Sequence, residues 1–86
     1  MSSKLEKLTN MLLMVIETNN MVTFGSNEHI EIVKIINNIQ SIEEIKNIDN
    51  EYIKRALKFI IEDKRLSNIL KENNISMKLY FNNNHY

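Results

Sequence analysis

One glycine, Gly25, and no proline occur in 86 residues, while asparagines come in clusters. Gly and Pro are the usual breaks between structural elements, so a chain almost without them must stop its helices by other means. The clusters Asn19-Asn20, Asn37-Asn38, Asn73-Asn74 and Asn82-Asn83-Asn84 lie close to where apolar patterns end. Asn is the non-glycine residue that best tolerates the left-handed conformation closing a helix, so it can serve as the stop. A competing origin is codon bias. Ile, Asn and Lys, the residues of A/T-rich codons, fill 37 of the 86 positions, which alone would scatter Asn through helix middles. At Asn19-Asn20 and Asn73-Asn74 the pattern does stop. Asn37-Asn38 is ambiguous, because Ile39 continues the preceding repeat.

The length fits one helical domain over residues 1–86, with 82–86 as a frayed tail. A chain of this size buries only about 60–65 % of its unfolded surface, so the core is small. No cysteine is present, hence no disulfide framework and no thiolate metal site. A secreted protein this small usually needs such staples, and the N-terminus has no signal-peptide shape, so the expected location is the cytoplasm of a cell or an infected host. The longest apolar run, Met11 to Ile16, is too short to span a bilayer. Eleven basic and eleven acidic side chains leave no net charge. That balance disfavours both a dedicated nucleic-acid binder and an acidic nucleic-acid mimic.

Ser3-Lys4-Leu5-Glu6 has the form of a capping box at the start of a helix over 3–18. Leu5, Leu8, Leu12, Val15 and Ile16 share one face as its core stripe, with Met11, Leu13 and Met14 on other sides. Such a helix is either central in the fold or carries a second contact surface. Met21 to Phe24 reads as a short extended segment, followed by a turn and an N-cap at Ser26 or Asn27. From Ile30, a branched apolar residue recurs at 33, 36, 39, 42, 45 and 48. A period of three drifts about 60° per step around a helix, so one straight helix cannot bury all seven. The segment divides into a helix near 27–39 and a shorter one near 42–48, the second opened by the capping box Ser41-Ile42-Glu43-Glu44.

Asp49 or Asn50 caps the next helix, 50–61, where Ile53, Ala56, Leu57 and Ile60 form a stripe and Glu51 is spaced to pair with Arg55. Leu66, Ile69 and Leu70 fall on a different face, so the helix bends near 62–65 or restarts with Asp63 as its cap. Residues 75–81 alternate with period two, a strand signal whose only evident partner is 21–24. The expected fold is therefore mainly α: a small bundle of four to five short helices, with a two-stranded ribbon pairing 21–24 and 75–81 or a last helical turn in its place. Rich in isoleucine and with one alanine, these helices should be stable only when packed, which makes self-association or a partner a reasonable expectation.

Little in the chain suggests catalysis. His29 and His85 are far apart in sequence, and His85 falls in the tail. Glu28, His29 and Glu31 could in principle meet a metal, but a solvated first helical turn explains them more simply. Asp49 and Asp63 read as caps, Glu43-Glu44 as favourable charge at a helix start. One glycine cannot build a phosphate-cradling loop. No catalytic residues, no metal, no cofactor, no small-molecule ligand and no membrane contact are expected.

Two resemblances bear on function. Phe24-Gly25-Ser26-Asn27-Glu28 followed by Ile30-Glu31-Ile32-Val33 faintly resembles the start of the second helix of acyl carrier proteins. Glu28 stands where that family carries its modified serine, so no carrier role is implied. The order helix, 21–24, helix, short helix is similar to winged-helix DNA-binding domains, which implies a transcriptional regulator. Its recognition helix would be 41–48, where Glu43 and Glu44 would face phosphates. The better nucleic-acid or acidic-partner surface is Lys54, Arg55, Lys58 and Arg65, interrupted by Glu51 and Glu62. The leading expectation is a non-enzymatic protein-binding module: an inhibitor, adaptor or immunity-type accessory protein in the style of a phage or viral gene. It would bind another protein or itself, as a homodimer, through Met11, Leu13 and Met14.

Overall fold

The computed structural model describes residues 3–77, and its order is α1 (Ser3–Thr18), α2 (Asn27–Asn37), α3 (Ile42–Ile45), α4 (Glu51–Glu62) and α5 (Lys64–Glu72). The protein is mainly helical, a small bundle in which α1 packs against both α4 and α2, and α4 against α5. That central position explains why α1 is apolar on more than one side. Leu8, Leu12, Val15 and Ile16 are buried as the stripe requires, and Leu5 packs half-buried beside them.

Asparagine supplies the helix stops. At the end of α1, Asn20 adopts φ +52°, the Asn20 amide donates to the Glu17 carbonyl, and the Met21 amide to the Ile16 carbonyl. At the end of α5, Asn74 adopts φ +58°, its amide bonds to Lys71 and the Ile75 amide to Leu70. Both ends are Schellman motifs with Asn in the position glycine usually fills. In each pair the preceding asparagine adds a side-chain bond to the carbonyl four residues back, Asn19 to Val15 at 2.9 Å and Asn73 to Ile69 at 2.7 Å. Asn38 makes the same side-chain bond, to Lys34, but keeps φ −98°. The ambiguous pair thus ends its helix without the left-handed turn, and Ile39 follows as a buried residue outside the helix.

Helix starts follow their caps. Ser26 accepts from the His29 amide, Asn50 from Ile53 at 3.0 Å and Asp63 from Leu66 at 2.9 Å. Each such cap satisfies an amide that has no partner within its helix. Asp63 ends α4 and starts α5, so the chain restarts there rather than bending. The box expected at 41–44 forms only in part. Ser41 is the N-cap of α3 but makes no side-chain cap bond, and Glu44 reaches back one residue further, to the Gln40 amide at 3.0 Å. The helix expected over 42–48 shortens to one turn, and that expected over 27–39 ends at Asn37. The box expected at Ser3 depends on a side chain outside the described ones.

The α4 stripe packs as its spacing demands, with Ile53, Ala56, Leu57 and Ile60 all buried. On α2 the buried set is His29, Ile32 and Ile36, at spacings of three and four, whereas Ile30 is 47 % exposed. The period of three in the sequence therefore marks no single face. The ribbon expected between 21–24 and 75–81 does not form among the described residues. Residues 21–24 form bends, irregular backbone and a turn, and 75–77 are irregular backbone without strand pairing. Alternation still operates there, because Ile75 and Met77 are buried and Ser76 is exposed: the segment lies on the helical core instead of on another strand. The missing strand at 21–24 also removes the feature that made the order similar to a winged helix. Residues 78–81, the tail 82–86 and His85 lie outside the described residues. Among the described residues, no helix is long and apolar enough to cross a membrane.

Candidate functional site

Met11, Leu13 and Met14, expected to meet a partner, are separated by the fold. Met11 is 7 % exposed and belongs to the core of this chain, which corrects its expected place at a partner surface. Leu13 packs half-buried against the same core, which leaves Met14, 43 % exposed, as the apolar side chain of the three that faces water. The basic side chains Lys54, Arg55, Lys58 and Arg65 are all exposed. Acids answer two of them: Lys54 lies 3.5 Å from Asp49, and Arg55 lies 2.8 Å from Glu51. The pairing reduces the positive field that face presents, and each exposed pair adds little stability.

The more structured surface is the connection from α1 to α2. Its two ends are set by left-handed residues, Asn20 and Gly25 (φ +82°). Gly25 is the one glycine of the chain and sits where an L side chain would be strained. Just beyond it, His29 is buried at 7 % exposure. The Gly25 amide donates to its Nδ1 at 3.1 Å, so the neutral ring carries its proton on Nε2, which donates to Glu17 Oε2 at 2.7 Å. His29 thereby joins the end of α1, the loop and the first turn of α2, replacing the expectation of a solvated helical turn at this residue. Among the described residues no group of three His, Cys, Asp or Glu is placed to hold a metal ion.

Phe24 rests on the His29 ring, with centroids 4.6 Å apart and planes at 36°, and yet is 77 % exposed. Around it a cleft of about 530 Å³ is lined by Asn20, Met21, Val22, Thr23, Phe24, Glu28 and Tyr52. A smaller hollow of about 240 Å³, lined by Asn27, Glu28, Glu31, Asn50 and Tyr52, shares two of those residues. A separate hollow of about 570 Å³ lies by Ile61, Leu70, Ile75 and Met77 and adjoins the last described residue.

In the sequence, Phe24 ends the segment 21–24 that reads as extended, Tyr52 lies off the α4 stripe, and His29 stands in a first helical turn beside Glu28 and Glu31. The available signal was an aromatic residue directly before the one glycine and the N-cap serine, a position that suits a loop tip better than a strand. Comparison with protein-family models, with curated proteins and with solved structures gives no match to this chain.

Proposed function

We propose that this chain is a non-enzymatic protein-binding module, an inhibitor, adaptor or immunity-type accessory protein of the cytoplasm that engages another protein through the cleft around Phe24. The observation that carries this reading is the exposure of Phe24 in a loop whose backbone is already set. Asn20 and Gly25 hold its ends, His29 accepts from its backbone, and Ser26 caps the helix that follows. An aromatic side chain loses little conformational entropy when it is buried by a partner, and a pre-set loop loses less still. Such residues, seated beside smaller apolar ones, are the usual anchors of protein interfaces. Met21 and Val22 provide that surround, and the Tyr52 ring lines the same cleft. No cofactor, metal or small molecule enters the reading, and the apolar contact first assigned to Met11 passes to Phe24, with Met14 as a separate exposed methionine.

Affinity capture from the producing cell, with the wild-type chain and with Phe24→Ser side by side, tests it. A protein retained by the wild type and lost with Phe24→Ser is the expected result. An unchanged set of captured proteins would exclude the cleft. Recovery of nucleic acid that falls steeply with salt would instead favour a regulator acting through Lys54, Arg55, Lys58 and Arg65.

A further inference from the structure

The two hollows beside Phe24 share Glu28 and Tyr52 as a common wall, so they adjoin. The larger has apolar walls in Met21, Val22 and Phe24, and the smaller is bounded by Glu28 and Glu31. Glu28 and Glu31 are three residues apart on α2, which sets their carboxylates on one side of the helix, with Cβ atoms about 5–6 Å apart. Neither carboxylate is ion-paired among the described residues. Glu28 lies in the first turn, where the helix dipole favours a negative charge. Glu31, a turn further along, gains little from it. Lys34, one turn beyond Glu31 on α2, lines neither hollow, and Arg55, 5.9 Å from the Tyr52 ring, is paired with Glu51. The charged side chains that line the two hollows, Glu28 and Glu31, are both acidic.

We propose that these hollows form one groove for an extended, basic and apolar segment of a partner protein. An apolar side chain would sit on Met21, Val22 and Phe24, and a lysine or arginine between Glu28 and Glu31 against Tyr52. Resting on the protein-binding reading above, this adds the chemistry of the partner. In an extended chain, residues i and i+2 point to the same side, so one short segment reaches both places. The two carboxylates attract the cation, and the Tyr52 ring adds a cation–π contact. The same charges repel phosphates, which sets this groove apart from a nucleic-acid surface.

Selection of a random heptapeptide display library on the immobilised full chain tests the proposal without assuming a partner. Peptides with Lys or Arg two positions from a bulky apolar side chain should be enriched over the bare support. Binding of a selected peptide should weaken about fivefold to tenfold with Glu28→Gln plus Glu31→Gln, as expected for two solvent-facing ion pairs, and binding to the wild type should weaken with rising salt more than binding to the double variant. Both positions are exposed and the change is isosteric, so the helical circular dichroism should be unaltered. Absence of enrichment, enrichment of peptides without a basic residue, or basic peptides that bind the double variant equally well would each overturn the proposal. Self-association of the chain that the double variant abolishes would assign the groove to a second copy and likewise overturn it. Acidic or purely apolar peptides that lose binding with Phe24→Ser would leave the protein-binding reading standing while removing the cationic partner.

Discussion

Two breaks between helices are solved in opposite ways. Between α4 and α5 a single residue suffices: the Asp63 amide donates the last bond of one helix, to the Phe59 carbonyl, its side chain caps the next, and the apolar stripes on both sides, Ile60 and Leu66, go into the core. Between α1 and α2 the chain spends residues 19–26, two left-handed residues and a buried histidine, and the product is an exposed phenylalanine. A break required only for packing can be short and dry. A break that also builds a surface needs polar groups to hold it, because a loop has no helical ladder of its own.

The largest effect expected from this contrast is on the packed side. Ile60 is fully buried, and Ile60→Ala should cost about 2–5 kcal/mol in chemical denaturation. A cost under about 0.5 kcal/mol, the range of an ordinary surface substitution, would mean that α4 does not form the core. His29→Leu keeps much of the side-chain volume but deprives the Gly25 amide and Glu17 of their partner, and should cost about 1–3 kcal/mol. Hydrogen exchange should quicken at Gly25 and stay unchanged in α4 and α5; equal quickening throughout would show that the loop is not a separate unit. Asp63→Ala removes one side-chain cap and should cost about 1 kcal/mol, read as a shift in the denaturation midpoint. The smallest change in stability belongs to Phe24→Ser, within about 0.5 kcal/mol. A larger loss would show that Phe24 supports the fold through its contact with His29, and would weaken the distinction between the two breaks.

Much of the fold was legible because its signals are local. A cap needs one oxygen three residues before an amide, and Ser26, Asn50 and Asp63 all supply it. The α4 stripe was legible because one flanking face of that helix is charged, so the pattern has contrast. On α1 contrast is missing. Met11 and Met14 look alike in sequence, and only tertiary packing buries one and leaves the other in water. The candidate site was nearly illegible for a similar reason. Met21 to Phe24 has the composition of a strand, and whether it becomes one depends on a pairing partner that local sequence cannot supply.

By itself, then, the sequence determined that the chain is mainly helical, the breaks at Asn20 and Asn74 and the core face of α4, and it left a bend or a restart at Asp63 for the structure to decide. Each depends on backbone conformation or hydrogen bonding within a few residues. Tertiary structure alone decided that Met11 and Ile32 are core while Ile30 is not, that Ile75 and Met77 lie on helices, and that His29 is buried. It also decided that Glu28, Phe24 and Tyr52, from three separate segments, line one cleft. The physical reason is that burial and juxtaposition depend on which elements come to lie beside one another. The hydrophobic effect that gathers them is non-directional, so it leaves no mark of its own in the order of residues.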